Sequence, residues 1–188
     1  MLRYSECLLR PMEENDLVQI LNWRNSERIR EVMFSDHIIT WEEHLRWSKN
    51  IFSGNANVKV FIFEFKNRPL GSVSLNNIDL YNKRCNWGFY IGDEDAPKGS
   101  GLAMGFLALE YVFEKMHFNI LCSEVLASNI ISQKYHLKLG FRYEGCFKRH
   151  VYKKGKYEDV FCYGHFKEIW NVIKVKLFKK CFEEACCS

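Results

Sequence analysis

Apolar residues recur at helical spacing in the first quarter of the chain, run together in the middle, and return to helical spacing on both sides of a later strand. Met1 to Arg10 reads as a strand ended by Pro11. Asn15 or Asp16 can cap a helix whose apolar stripe is Leu17, Ile20, Leu21 and Trp23. A second helical piece is expected over Arg28–Phe34. Thr40-Trp41-Glu42-Glu43 is a capping box ahead of Leu45, Trp47, Ile51 and Phe52. Its hydroxyl covers an early N–H and Glu43 reaches back.

The period then changes. Val58–Phe65 is rich in β-branched and aromatic residues, and Leu70–Leu75 and Arg84–Ile91 follow across polar turns, so three strands form a meander. Gly92–Ser100 reads as a loop and Gly101 to Met116 as a helix. Ile120–Leu126 is a strand, and Ser128 is expected to cap a helix that Gly140 closes. Phe141–Tyr152 and Tyr157–Phe166 make a hairpin, and Ile169–Phe182 a terminal amphipathic helix. The order β-α-α-β-β-β-loop-α-β-α-β-β plus a tail helix predicts an α/β (α+β) fold. Its sheet is mostly antiparallel, with one central parallel pair joined by a right-handed crossover.

The length, 188 residues, suits one domain, with 169–188 as a helical tail on a body of 1–168. Apolar residues at 47% exclude general disorder. The formal charge of +4 suits an anionic small molecule and falls short of a nucleic-acid coat. Eight cysteines invite a disulfide or zinc reading, but no pair has CxxC spacing. They read as buried thiols of a reduced, cytoplasmic protein without metal. The charged start gives no signal peptide, and no apolar run is long enough to span a membrane. Cys186-Cys187-Ser188 carries no lipidation pattern.

Two stretches can carry chemistry. Lys98-Gly99-Ser100-Gly101-Leu102-Ala103 joins a strand to a helix. Its glycines let the backbone approach a ligand, and the first helical turn offers unpaired N–H groups to a phosphate. It is neither a Walker loop nor a dinucleotide fingerprint; such a turn can also serve only to start a helix. About 28 residues on, Asn129, Ser132 and His136 share one helix face.

The glycine turn, Asn129…Ser132…Leu139-Gly140-Phe141, the opening Leu9-Arg10-Pro11 and the ending Gly155-Lys156-Tyr157-Glu158-Asp159 together resemble the GCN5-related N-acetyltransferase (GNAT) family over nearly the whole chain. The resemblance implies a flanked sheet of six to seven strands and acetyl-CoA as co-substrate. It implies pyrophosphate binding by Lys98, Gly99, Ser100, Gly101, Leu102, Ala103 and Met104. Pantetheine would pair with the strand end at Tyr90 and Ile91, and Asn129 and Ser132 would face CoA. Many members place a Tyr seven residues after the Asn, near the sulfur; here His136 stands there, with Tyr135 one position early. Either could protonate the leaving thiolate, His136 being favoured, and Glu124 could draw the amine's proton through water.

Trp23-Arg24-Asn25, His44-Leu45-Arg46-Trp47 and Gly71–Leu75 look like the amino-sugar N-acetyltransferases of pseudaminic acid biosynthesis. That likeness implies a UDP-linked 4-amino-4,6-dideoxy-N-acetyl-altrosamine as acceptor. Arg24 and His44 would meet the diphosphate, and Asn76, Asn77 and Trp87 the sugar or base. A ribosomal-protein-type acetyltransferase and a non-catalytic acyl-CoA-binding module are the alternatives, and a homodimer is a further expectation.

Overall fold

In Lys59–Phe65, Val60 and Ile62 face one side of a sheet and Phe61 and Phe63 the other, and all four are buried. A strand covered on both faces reads as a continuous apolar run and needs a layer on each side. The computed structural model, which describes residues 2–54 and 57–183, supplies both layers. Among the described residues the strands are β1 (Leu2–Arg3), β2 (Cys7–Pro11), β3 (Lys59–Phe65), β4 (Arg68–Asp79), β5 (Arg84–Ile91), β6 (Ile120–Leu126), β7 (Arg142–Lys153), β8 (Lys156–Phe166) and β9 (Phe182–Glu183). The helices are α1 (Leu17–Asn25), α2 (Glu27–Arg30), α3 (Trp41–Phe52), α4 (Ser100–Glu110), α5 (Ile130–Leu139) and α6 (Lys167–Cys181).

The large sheet has seven strands in the order β2-β3-β4-β5-β6-β8-β7. Within it β5 and β6 are the parallel pair, linked through α4, and the other neighbours are antiparallel. On one face α4 and α5 pack over a core that includes Leu75, Trp87, Met104 and Leu139. On the other, α1 contributes Leu17 and Ile20 to a smaller cluster with Met12, Val60 and Ile62. Trp170 of α6 is buried against Phe106 of α4 and donates its indole N–H to Glu114 at 2.8 Å.

Several boundaries differ from the sequence expectation. A 3-10 turn at Tyr4–Glu6 breaks the first strand, and β1 pairs separately with β9. The second helical piece is a single turn, α2. β4 runs on to Asp79. The Gly101–Met116 helix begins one residue earlier and ends in a π-helical turn, Tyr111–Lys115. Asn129, not Ser128, caps α5: its Oδ1 accepts the Ser132 N–H at 3.0 Å, while Ser128 Oγ donates to Glu158 at 2.6 Å. The Thr40 capping box and the left-handed Gly140 C-cap (φ 95°) form as expected. The terminal Cys186-Cys187 pair lies outside the described residues.

One side chain ties the amino-terminal elements together. Arg10 on β2 donates to both Asp16 oxygens, at 2.7 and 2.8 Å, and to Glu64 on β3 at 2.7 Å. Both carboxylates are largely covered, so removal of the guanidinium strands two buried charges. Burial alone would raise the Asp16 carboxyl, but the bonds from Arg10 and the Glu13 N–H outweigh it and hold it below the ordinary value. A depressed carboxyl stabilises the fold fully above its unfolded pKa, and that contribution is lost as pH falls through the native one. Arg10→Met is expected to cost about 3 kcal/mol, read as a lower urea midpoint at neutral pH. The deficit should shrink as pH falls below the ordinary Asp value near 4 and through the depressed native value of Asp16.

Candidate active site

β5 and β6 pair only from Arg84/Ile120 to Asn86/Cys122. Beyond that point Trp87–Ile91 and Ser123–Leu126 part, and both strands present unpaired backbone edges to the gap. His136 of α5 sits at the apex. Its Nε2 lies 3.2 Å from Trp87 Nε1 on β5 and 2.7 Å from Ser123 Oγ on β6, so one ring nitrogen bridges the diverging strands. An indole N–H only donates and a carbonyl only accepts. Nε2 is therefore an acceptor, and Nδ1–H donates to the Ser132 carbonyl at 2.7 Å. Burial pushes the imidazole down to about 4, against the opposing pull of the Ser132 carbonyl, so the ring is neutral.

Two cavities share Arg24, Met33 and Phe89 in their walls, and one of them reaches this apex. One, of about 300 Å³, is lined by Trp87, Ser123, Glu124, Asn129, Ser132 and His136, with Met33, Phe34 and Ser35 across from them. The other, of about 370 Å³, lies over the sheet beneath α1 and α3 and is lined by Ile20, His44, Trp47, Ser72, Ser74 and Tyr90 among others. Arg24 lines both. Its Nη2 donates to the Ser35 carbonyl and hydroxyl, at 3.1 and 3.0 Å, while its buried Nη1 has no partner among the described residues. At the rim, the Glu43 carboxylate already accepts the Thr40 N–H at 2.8 Å and lies 3.7 Å from His37.

The glycine turn lies beyond the splayed end of β5. Gly99 has φ +100° and nothing within 4 Å of where a Cβ would stand, so the backbone is open to approach. The Gly101 and Leu102 N–H groups have no acceptor among the described residues, and exposed Lys98 forms no ion pair among them. Three expected donors are already committed. Ser100 N–H bonds Pro97, Ala103 N–H bonds Gly99 at 3.0 Å, and Met104 lies past the first-turn orphans.

Other expected residues also take different places. The Tyr135 hydroxyl donates to the Gly101 carbonyl at 2.6 Å, which ties α5 to α4, and burial raises its pKa. His136, neutral with its Nδ1–H bonded to the Ser132 carbonyl, bridges Trp87 of β5 and Ser123 of β6. His44 stacks on Trp47 and donates Nε2–H to the Leu17 carbonyl at 2.9 Å. Burial lowers its pKa, so it meets a ligand as a neutral ring. Asn76 and Asn77 line neither cavity; Asn76 donates to Ser74 at 3.1 Å, and Asn77 sits at φ 51° in an irregular stretch of β4. Trp87 faces the apex rather than the larger cavity. The Ile91 carbonyl accepts from Arg28 at 3.1 Å, and the Tyr90 ring walls the larger cavity. Exposed Glu124 lines the smaller cavity, as do Asn129 and Ser132. Ser123, Met33 and Ser35 are the site residues that no motif announced.

Among the described residues no group of three or more His, Cys, Asp or Glu is placed to hold a metal, and no helix is long and apolar enough to cross a membrane. A family model described as "Acetyltransferase (GNAT) domain" matches residues 6–142. The chain is 28% identical over 101 residues to the putative ribosomal N-acetyltransferase YdaF of Bacillus subtilis, a match spanning 54% of this chain and about half (55%) of that protein. It is 23% identical over 156 residues to the spermidine N(1)-acetyltransferase of Vibrio cholerae, covering 83% of this chain and 90% of that one. The crystal structure of spermidine N-acetyltransferase from Vibrio cholerae in complex with CoA and spermine superposes with a TM-score of 0.81 at 22% identity, over 89% of this chain and 99% of the other. At that identity the likeness establishes the fold.

The His136 geometry has a measurable consequence. A His with a depressed native pKa stabilises the fold fully above the ordinary value near 6.5. That contribution is lost as pH falls toward about 4. Nitrogen-15 NMR of the imidazole is expected to show the Nδ1–H tautomer unchanged from pH 8 to 5. Titration near 6.5 would overturn the assignment.

Proposed function

The chain belongs to the GNAT acetyltransferase family, and from that premise we propose that it transfers an acetyl group from acetyl-CoA to the amine of an anionic small molecule. The resemblance to the pseudaminic acid enzymes names that acceptor as a UDP-linked 4-amino-4,6-dideoxy sugar. Acetyl-CoA supplies the activated acyl group. The residues present suit its pyrophosphate: free Gly101 and Leu102 N–H groups, an open Gly99 and an unpaired Lys98. The edge of β5 that faces β6, unpaired with it beyond Asn86, suits an extended pantetheine arm.

The acceptor's class rests on Arg24. A guanidinium with one buried, unpartnered nitrogen reaches both cavities. It suits a phosphate through its planar fork. Glu43, the one carboxylate in the larger cavity's lining, is tied to the capping box, so a polycation finds little there to neutralise it. Glu124 takes the proton of the attacking amine through water. His136 positions Ser123, whose hydroxyl hydrogen points to Nε2 and whose oxygen remains free to orient an N–H from the ligand. A polyamine or a protein N-terminus is the second reading, favoured by the names of the relatives. A cytoplasmic location goes with the proposal, supported by six free thiols among the described residues. So does self-association, supported by the dodecameric form in which the Vibrio cholerae enzyme has been solved.

Three experiments test these assignments. A Cβ at Gly101 would lie 3.8 Å from Tyr135 and 4.0 Å from Ile91, ordinary contact distances. Gly101→Val should therefore keep the parent's melting temperature while calorimetric CoA binding is lost; unchanged affinity would refute the turn's role. A thiol-release assay over UDP-amino sugars, spermidine and N-terminal peptides should give turnover with the sugars alone. Arg24→Gln should raise the acceptor KM about tenfold, the loss of roughly one charge-assisted hydrogen bond, with acetyl-CoA affinity unchanged. Turnover of spermidine or peptide alone would shift the function to the second reading.

A further inference from the structure

Residues 31–40 connect α2 to α3 without regular secondary structure, yet they wall both cavities through Met33, Ser35, His37 and Ile39. A segment without a ladder needs partners for its backbone from elsewhere. Here side chains supply them. Asn25 exchanges two bonds with Ile39, both 2.9 Å, Arg24 donates to the Ser35 carbonyl, and Arg30 donates to the Asp36 carbonyl at 3.3 Å. The fourth partner comes from the far end of the sheet. Lys153, the last residue of β7, is 4% exposed, and its ammonium donates to the carbonyls of Arg30 at 3.3 Å, Glu31 at 2.8 Å and Met33.

An ammonium has three N–H donors, and three carbonyls meet them. A buried cation is costly unless hydrogen-bonded, and among the described residues no carboxylate lies within ion-pair distance of this one. Asp36 and Glu158 attract it from farther off, and Arg24 and Lys154 oppose it. A flexible surface pair would not call for this arrangement. The neighbouring Lys154 forms such a pair, with Glu31 at 2.9 Å, both groups exposed.

We propose that Lys153 is a positioning residue for the acceptor, its ammonium clamping the carbonyls that end α2 so that residues 31–39 hold the shape of the cavity wall. The proposal rests on the larger cavity being the acceptor site. Lys153 touches neither cavity and acts through the strap alone.

Lys153→Met keeps the aliphatic stem and removes the clamp. Hydrogen exchange at amides 31–39 should accelerate about tenfold or more while the sheet stays protected. The acceptor KM should rise by a similar factor, with kcat within about twofold and the Kd for acetyl-CoA unchanged. Lys154→Met, which breaks only the exposed pair, should leave all of these at parent values. If Lys153→Met does not fold, Lys153→Arg serves, because a planar fork keeps the charge but does not aim three N–H groups at three converging carbonyls. Unchanged exchange at 31–39 would overturn the clamp. Faster exchange with an unchanged acceptor KM would reduce Lys153 to a structural tether and overturn the positioning role. The exchange measurement needs no substrate. The kinetic one uses whichever amine the parent enzyme acetylates, so an error in the acceptor's identity leaves the clamp open to refutation on its own.

Discussion

The bond between His136 Nε2 and two donors on different strands is the point from which the rest of the site is set out. Parallel strands that part lose their ladder, and the polar edges they expose must find other partners. His136 closes the apex of that opening and fixes its width. The ring can do so only while neutral, because a protonated Nε2 has no lone pair for the Trp87 and Ser123 hydrogens. Aromatic packing reinforces the choice. Trp87 stacks on Phe141 at 5.3 Å, and His136 stacks on Tyr163 at 5.5 Å. His136 is thus part of the frame that holds the cavity open.

The two sides of the site are built by different means. At the start of α4, the free donors are backbone N–H groups, held in place by buried helix and sheet contacts. Over the two cavities, a strap without secondary structure is held by cations and an amide reaching in from α1, α2 and β7. Loops positioned by a rigid scaffold are where binding properties vary while a fold persists. The division explains how chains that share this architecture can act on different amines.

Much of the fold was legible in the sequence because it rests on periodicity. The Thr40 box, the meander, the parallel crossover and the Gly140 cap follow from local pattern and stand where expected. The π-turn after α4 and the pairing of β1 with β9 depend on tertiary contacts and left no local mark. In the site, the glycine turn was legible because only glycine leaves its backbone so open. The polar character of His136, Tyr135 and His44 stands in the sequence, but their protonation depends on burial and on partners distant in sequence. Ser123 was missed because a serine within a strand carries no motif. Nothing in the sequence marks Lys153, because its three partners lie more than a hundred positions away.

The Arg10–Glu64 pair has a second consequence, for the chain before it folds. Phe61-Ile62-Phe63-Glu64-Phe65 combines high strand propensity with a single charge, the composition that favours stacking of identical segments between molecules. In the folded protein that charge is matched by Arg10 and hidden. In a nascent chain it stands unmatched in the middle of the run, where stacking would set carboxylate against carboxylate. One carboxylate thus serves two states of the chain: a charge that disfavours stacking of this run when unfolded, and an ion-pair partner of Arg10 when folded.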